Sequence, residues 1–266
     1  MTIFSFFLGL VIGSFLNVVI RRGARGENFR GRSHCESCGI TLSVTELIPV
    51  LSFLIQKGRC RHCHAAFSWQ YLLVELGTAF SYAMSAWIFL PNLPLDKHFF
   101  LLATGLFFGI GAAIVIFVSD IRSQIIPNGA VLTLLILGLF RPVYIMFQTE
   151  SGTIVPDSVW NIGTALVIAL FLALLWFFSK GRWMGFGDVK LILATSLILG
   201  YPSSVAALLF AFWLGGIIGV ILIISRVKTL KEHIPFGPFI LVGTVLAYFL
   251  PQNFFYITAL TDLFSP

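Results

Sequence analysis

Long apolar stretches recur along almost the whole chain, and this pattern limits what the chain can fold into more than any other feature. About 20 mostly apolar residues are enough to cross a bilayer as a helix. Eight such stretches are visible, the sixth of them short: Ile3–Ile20, Tyr71–Leu90, Phe99–Val118, Ala130–Phe147, Val159–Ser179, Val189–Leu199, Val205–Ser225 and Phe239–Tyr256. We therefore predict an all-α polytopic membrane protein with about eight transmembrane helices.

The composition excludes an ordinary soluble protein of this length. Only 11% of the 266 residues are charged, and 58% are hydrophobic. A soluble domain carries roughly a quarter charged residues, because its surface must face water. Lipid is therefore the expected solvent for most of this chain.

The basic residues follow the ends of the apolar stretches and gather in alternate loops. Arg21 and Arg22 come directly after the first stretch, which places that end in the cytoplasm and Met1 outside. The same rule places the polar loop of residues 21–70 and the later basic loops inside. The net charge of +6 is thus mainly a sign of topology, and no nucleic-acid partner is expected because the basic residues form no separate face.

Three segments follow from this pattern. Residues 1–20 form the first transmembrane helix, residues 21–70 form a polar cytoplasmic loop, and residues 71–266 form a transmembrane bundle. The polar loop holds all four cysteines. We expect chemistry that depends on cysteine to be confined to it.

The cysteines form two pairs, Cys35-x2-Cys38 and Cys60-x2-Cys63, separated by 21 residues. Each pair can offer two thiolates to one metal, and together they complete a structural zinc site with four sulfur ligands. A reducing cytoplasm argues against disulfides. Unpaired or redox-active cysteines remain the alternative. Three histidines lie nearby and could either replace a cysteine or be solvated: His34, His62 and His64.

Two aspartates lie at the ends of later stretches on the predicted cytoplasmic side. Asp120 ends the third stretch, and Asp188 lies in a turn that includes Gly185, Gly187 and Lys190. Two neighbouring carboxyl groups do not both ionise easily, so one can activate water while the other polarises a peptide carbonyl. The alternative is a pair of interfacial ion pairs, because Arg122 and Lys190 each lie two residues from an aspartate.

The chain resembles the prepilin peptidases, membrane aspartic peptidases of the GxGD type that mature type IV pilins and type II secretion pseudopilins. The segments that carry the resemblance are Gly13–Arg21, the two cysteine pairs, Ile48–Ser52, Gly58–Cys60, Tyr71–Glu75, Asp120–Arg122 with Ile126–Asn128, Gly185–Lys190 and Pro235–Phe239. In this order they cover nearly the whole chain. One departure is Glu36, which follows Cys35 where the family usually has proline.

The resemblance implies a function and its participants. Asp120 and Asp188 correspond to the catalytic dyad, and Cys35, Cys38, Cys60 and Cys63 to the zinc ligands. Substrates would be prepilins and pseudopilins held within the bacterial inner membrane, cut between glycine and phenylalanine at its cytoplasmic edge. Many members also methylate the new amino terminus with S-adenosylmethionine. The sequence shows no nucleotide-binding fingerprint, so it assigns no residues to the methyl donor.

Two other function classes stay open on the residues themselves. A non-catalytic membrane scaffold could use the zinc loop to bind cytoplasmic components, and it would tolerate loss of either aspartate. A transporter could use Asp120 and Asp188 as proton or cation sites, but acids nearer the midplane and some repeat symmetry would be expected. The glycine–aspartate turn is also similar to that of presenilin-type proteases, whereas the zinc loop and Ile126–Asn128 favour the prepilin branch.

Overall fold

The computed structural model describes residues 1–28, 31–92, 99–148, 156–227 and 234–250. Its regular elements are nine α-helices: α1 (Thr2–Arg25), α2 (Leu51–Ile55), α3 (Gln70–Ile88), α4 (Phe99–Ser123), α5 (Asn128–Gln148), α6 (Pro156–Ser179), α7 (Phe186–Leu199), α8 (Ser203–Ile224) and α9 (Gly237–Phe249). Short 3-10 turns occupy Val44–Leu47 and Leu90–Asn92. Within these described ranges there is no β-strand, only two isolated bridges. The predicted all-α class is confirmed.

All the helices except the five-residue α2 coincide with the eight predicted stretches. The short sixth stretch corresponds to α7, which has 14 residues. Four of the described helices, namely α1, α4, α6 from Val159 onward and α8, are long and apolar enough to cross a membrane. The end of the eighth stretch, up to Tyr256, lies outside the described residues. That each of the other helices also crosses the bilayer stays a prediction.

The chain divides into two compact units, residues 1–119 and 120–266. In the first unit, α1 packs closely along α3. A side chain at Gly9 would lie 2.6 Å from Cα of Ala79, and one at Gly13 would lie 2.8 Å from Cα of Glu75. Small residues four apart let two membrane helices approach until their backbones touch. The Gly9-x3-Gly13 pattern therefore sets how α1 and α3 pack.

The opposite face of α1 is apolar and exposed, as expected for a helix that contacts lipid. Its buried residues are four small or polar ones and two apolar ones: Ser5, Gly9, Gly13 and Asn17, with Leu16 and Ile20. Its exposed residues include Ile3, Phe4, Phe7, Val11 and Phe15. Such an arrangement reverses the soluble pattern of apolar inside and polar outside, which supports the membrane assignment.

In the second unit, α7 is the central helix and packs against α5, α6, α8 and α9. Nine of its 14 residues are buried, and they lie all around the helix. Close contacts are again made at glycines: a side chain at Gly138 of α5 would lie 2.8 Å from Cβ of Leu197, and one at Gly243 of α9 would lie 2.5 Å from the carbonyl oxygen of Ala207. Asp188 at the start of α7 is thereby enclosed by other helices rather than by lipid.

Candidate active site and metal centre

The two cysteine pairs fold into two turns with the same hydrogen-bond pattern. The N–H of Cys35 donates to the carbonyl of Ile40, and that of Cys60 donates to the carbonyl of Ala65, both at 2.9 Å. One residue of each turn has a left-handed backbone, Gly39 in the first (φ 72) and His64 in the second (φ 57). The loop therefore contains two equivalent knuckles, a local repeat that the amino-acid sequence shows only in the Cys-x2-Cys spacing.

The four sulfurs are arranged as a zinc site requires. The Sγ atoms of all four cysteines lie within 4.8 Å of one another, and those of Cys35 and Cys63 are 3.8 Å apart. A tetrahedron with Zn–S bonds of about 2.3 Å has S···S edges of about 3.8 Å. All four thiols are free of disulfides. The predicted ligand set therefore fits one tetrahedral zinc ion with no open position for water.

Backbone groups prepare the site for a metal cation. Burial acts to raise the pKa of the Cys35 thiol, but hydrogen bonds from the backbone of Cys38 and Ser37 outweigh it and lower this pKa to about 7. The thiol of Cys63 differs: the Ala65 backbone acts to lower its pKa, yet desolvation and the neighbouring thiols raise it to about 12. Four thiolates cannot coexist easily without a cation, so metal binding must release protons.

The histidines near the knuckles have other positions. Nε2 of His62 lies 3.8 Å from Oε1 of Glu46, and His64 occupies the left-handed position of its turn. In the described residues, the cluster of possible metal ligands around the knuckles consists of the four cysteines. This supports the solvated-neighbour alternative for the histidines.

Asp120 lies in the last turn of α4 and is buried, with 4% of its surface exposed. Its Oδ2 accepts a hydrogen bond of 2.9 Å from the backbone N–H of Gly237, the first residue of α9. The first turn of a helix has N–H groups without intrahelical partners, and a carboxylate satisfies one of them. A contact between residues 117 positions apart thus fixes the side chain of Asp120.

Asp188 lies in the first turn of α7, and 6% of its surface is exposed. Its Oδ2 accepts a hydrogen bond of 3.1 Å from the N–H of Gly185, the N-cap of the same helix. The carboxyl groups of Asp188 and Asp120 are close enough to interact electrostatically. The structure therefore brings the two predicted aspartates into one buried site, and the start of a helix provides an N–H donor to each.

Glycines make the site compact. A side chain at Gly237 would lie 2.7 Å from Oδ2 of Asp120, a distance that no real Cβ contact shows. A side chain at Gly187 would lie 3.1 Å from Cβ of Ile126, and Ile126 also contacts the position of Gly237. Ile126 therefore fills the space between two glycine positions, and no β-carbon fits beside Asp120.

Lys190 does not pair with the aspartate next to it. Its Nζ donates to Oδ1 of Asn128, at the start of α5, and lies 5.7 Å from the ring centre of Phe186. Lys190 thus connects the glycine turn to the Ile126–Asn128 segment. The ion-pair interpretation of Asp188 is not supported by this arrangement.

Two residues of this site, Gly237 and Ile126, could not be assigned a role from the sequence. Gly237 and Ile126 belong to segments that carry the family resemblance, but neither is a chemically reactive residue. A signal for Gly237 existed, since a glycine directly before a proline at the start of an apolar stretch marks a helix N-terminus with a free N–H donor. Its partner could not be identified from the sequence.

Two family models match this chain. The family model of the Bacterial Peptidase A24 N-terminal domain matches residues 7–89, and that of the Type IV leader peptidase family matches residues 106–220. A prepilin leader peptidase/N-methyltransferase of Bacillus subtilis (strain 168) is 32% identical over 246 residues, which cover 91% of this chain and 92% of that protein. The chain belongs to the type IV leader peptidase family. The cysteine knuckles fall in the first match and both aspartates fall in the second.

Other relatives in the family carry the same name. The protein of Aeromonas salmonicida is 31% identical over 272 residues (91% of this chain and 88% of the relative). That of Burkholderia pseudomallei (strain 1026b) is 28% identical over 282 residues (95% of this chain and 86% of the relative). Both are prepilin leader peptidase/N-methyltransferases. No solved structure matches the chain.

Proposed function

We propose that this chain is a bifunctional enzyme of the type IV leader peptidase family. It cleaves the leader from prepilins with Asp120 and Asp188 and methylates the amino terminus that cleavage creates. The observation that carries the proposal is the pair of buried, electrostatically interacting carboxyl groups, each held by one backbone N–H. A structural ion pair at Asp188 would instead place a basic side chain against the acid, whereas the neighbouring Lys190 donates to Asn128.

The chemistry follows from two carboxyl groups in one site. An aspartic peptidase needs one carboxyl protonated and one ionised. The ionised group takes a proton from water, which attacks the scissile carbonyl, while the protonated group donates to the carbonyl oxygen. The hydrogen bonds from Gly185 and Gly237 hold each carboxyl in one orientation, leaving its other oxygen for water or substrate.

The family resemblance supplies the substrates, and the distribution of charge supplies the membrane orientation. Substrates are type IV prepilins and, in addition, type II secretion pseudopilins, cut between glycine and phenylalanine. In the multi-pass inner-membrane arrangement, the basic loops place the amino terminus in the periplasm and both aspartates at the cytoplasmic edge. The apolar part of the pilin then lies in lipid beside the bundle, while its basic leader reaches the cytoplasm.

The second activity uses S-adenosylmethionine as methyl donor. The name prepilin leader peptidase/N-methyltransferase, shared by relatives that match over about nine-tenths of the chain, supports this assignment. Zinc held by Cys35, Cys38, Cys60 and Cys63 has a structural role, because four protein ligands leave no position for a reacting water. It stabilises the fold of the loop that precedes α3.

The test is cleavage of a co-expressed prepilin by wild type, Asp120→Asn and Asp188→Asn. Each aspartate variant should lower the cleavage rate on the order of 10³-fold or more, because the amide cannot exchange a proton with water. Cleavage is measured by gel shift, and the cut product by mass spectrometry, where one added methyl mass reports the second activity. Asp157→Asn at the start of α6 is a matched control and should cut as wild type does.

The membrane level of every variant must be equal for the comparison to be valid. If either aspartate variant inserts normally and still cuts at the wild-type rate, the dyad assignment is wrong. The scaffold and transporter alternatives then become the leading interpretations. Normal cutting by wild type without an added methyl group would overturn only the second activity.

A further inference from the structure

A cavity of about 500 Å³ lies in the first unit, between the last turns of α1, the start of α3 and the cysteine loop. Small-molecule sites in proteins commonly measure about 300–1,000 Å³. The residues around it include Asn17, Tyr71, Glu75 and Glu46. The chemistry proposed for Asp120 and Asp188 uses none of them, so the cavity needs an explanation of its own.

Several hydrogen-bond acceptors in the cavity wall have no partner among the described residues. They are Oδ1 of Asn17, Oε1 of Glu46 and Oε1 of Gln56, none of which accepts a hydrogen bond. Oε1 of Glu46 also lies 3.8 Å from Nε2 of His62, beyond hydrogen-bond distance. Asn17 is 1% exposed, and its Nδ2 donates to the carbonyl of Tyr71 at 3.1 Å, which leaves the amide oxygen as a free acceptor. Buried acceptors without partners are rare and costly. All three are acceptors, so the expected ligand is rich in hydrogen-bond donors.

Two carboxyl groups line the same cavity, and Glu46 adds negative charge to it. Oε2 of Glu46 accepts hydrogen bonds from the N–H of Ser43 at 2.9 Å and from its hydroxyl at 2.8 Å. The backbone bond lowers the pKa of Glu46, so this group is a carboxylate at neutral pH. Oε2 of Glu75, which is 7% exposed, accepts from the N–H of Val50 at 2.7 Å. A cationic ligand is favoured over a neutral one.

Val50 itself is held in an unfavourable conformation beside this wall. Its backbone has φ 63 and ψ −52, a region that β-branched residues almost never adopt. Such strain persists only where surrounding contacts enforce it, and it concentrates at functional sites. The hydrogen bond from Val50 to Glu75 is one of these contacts. It connects the loop to α3 and orients the carboxyl group of Glu75.

The lining of the cavity also contains basic residues. Arg21, Arg22 and Arg25 line it, and Arg21 lies 5.0 Å from the ring centre of Tyr71. Glu36 pairs with both Arg21 and Arg25, so part of this charge is already compensated. Three arginines disfavour a lysine-rich peptide and favour a ligand that carries a carboxylate at one end and positive charge and donors at the other.

We infer that this cavity binds S-adenosylmethionine, with Glu46, Glu75 and Asn17 facing its donor groups and the arginines facing its carboxylate. The ligand combines positive charge, on a sulfonium and an ammonium, with hydrogen-bond donors on the ammonium, two ribose hydroxyls and an exocyclic amine. The inference rests on the methyl-transfer activity proposed above. In the transfer, the nitrogen lone pair of the new amino terminus forms the N–C bond, the C–S electron pair stays on sulfur, and the nitrogen releases one proton to water.

The cavity also accounts for segments of the family resemblance that the peptidase site does not use. Gly13–Arg21 contributes Asn17, Ile48–Ser52 contributes Ser52, and Tyr71–Glu75 contributes both of its end residues. These three segments are far apart in the chain but surround one cavity. The peptidase site, by contrast, uses only segments from Asp120 onward.

The test measures binding of S-adenosylmethionine to the full-length protein in lipid nanodiscs by calorimetry. Glu46→Gln, Glu75→Gln and Asn17→Ala should each weaken binding roughly tenfold or more, because each removes a charged or buried acceptor. The fraction of cut prepilin that carries a methyl group should fall in parallel. The control is Asp157→Asn at the start of α6, in the second unit, which also removes one negative charge and should bind as wild type does.

Photo-crosslinking of radiolabelled S-adenosylmethionine to wild type, mapped by mass spectrometry, checks the site without any variant. Label on peptides from residues 14–75 supports the inference, and label confined to residues 120–250 overturns it.

Variants that bind and methylate like wild type also overturn it, while the proposed function stands. If wild type cuts prepilin but neither binds the donor nor methylates, the methyl-transfer part of the proposed function fails together with this inference. Binding of a basic leader peptide that competes at this cavity, without donor binding, would assign the cavity to the substrate instead.

Discussion

The cysteine loop and the aspartate site are assembled in opposite ways. The loop builds its metal centre from two knuckles of the same hydrogen-bond pattern, each closed within six residues. The aspartate site joins the end of α4 to the starts of α7 and α9, and its most informative contact connects residues 117 positions apart. A local motif therefore specifies the first site, whereas helix packing specifies the second.

The same contrast applies to the glycines. In the knuckles, Gly39 is needed for its left-handed backbone. Beside the aspartates, Gly237 is needed because its missing side chain leaves room for a carboxyl group. The first requirement concerns the conformation of one residue, and the second concerns a neighbour far away in the chain. Substitutions at the two kinds of glycine should therefore have different consequences.

Among the substitutions that test this contrast, the largest effect is expected at Gly237. Gly237→Ala places a methyl group 2.7 Å from Oδ2 of Asp120, so the carboxyl group must shift, and displacing a catalytic group by about 1 Å can cost roughly a hundredfold in rate. Prepilin cleavage should fall by about that factor while the protein still inserts. Gly163→Ala in α6, where nothing lies within 4 Å, is the control. A normal rate for Gly237→Ala would show that the carboxyl group can be held elsewhere.

Zinc removal should affect the loop more than the aspartate unit. Chelation, or the double variant Cys35→Ser/Cys60→Ser, removes the ligands that join the two knuckles, and small metal-dependent elements unfold without their metal. Limited trypsin digestion should then cut near Lys57, Arg59 and Arg61, while fragments from α5 to α9 stay intact. Metal analysis of the wild type should give one zinc per chain. Equal protection of the loop with and without zinc would contradict a structural role.

A smaller loss is expected where α1 contacts α3. Gly13→Leu would force a side chain into a space where even Cβ meets Cα of Glu75 at 2.8 Å, and overpacking of this kind costs about 1–3 kcal/mol. Thermal unfolding in detergent should show a lower midpoint. Gly77→Leu in α3, a position with nothing within 4 Å, is the matched control. An unchanged midpoint for Gly13→Leu would mean that the two helices separate without cost.

The smallest effects should come from the two left-handed knuckle positions. Gly39→Val should destabilise the loop by roughly 1–2 kcal/mol, because a β-branched residue is strained there. His64→Gly should change little, since glycine relieves strain but loses more entropy on folding. Zinc retention under a chelator gradient reports both. If His64→Gly caused a large loss of zinc retention, the His64 imidazole would contribute to the site in addition to the four cysteines.

Much of the fold could be predicted from the sequence because the bilayer imposes a simple rule. Each helix that crosses lipid must be long and apolar. Apolar stretches alone therefore located every described helix except α2, including α7 with its 14 residues. The four cysteines could be assigned to one cluster for a similar reason, since Cys-x2-Cys spacing brings two thiols together locally. The left-handed backbone of His64 could not be predicted in this way, because a histidine does not indicate that conformation.

For the two aspartates, the sequence could indicate the residues and the chemistry but not their arrangement. Asp120 and Asp188 stood out as acids at the ends of apolar stretches, and their catalytic role stays a prediction. Gly237 and Ile126 carry no reactive group, and their importance depends on which atoms lie beside them. The unpartnered amide oxygen of Asn17 could not be predicted either, because the sequence does not indicate which side chains surround an asparagine within an apolar stretch.

By itself, the sequence determined that this protein is an all-helical membrane protein with a four-cysteine loop and a pair of acids at helix ends. These properties depend on composition, periodicity and short spacings, which act over a few residues. The tertiary structure alone decided that an N–H of α9 holds Asp120, that Lys190 binds Asn128, and that three distant segments enclose an acceptor-rich cavity. Such features depend on helix packing, where the absence of one side chain determines how closely two distant segments approach.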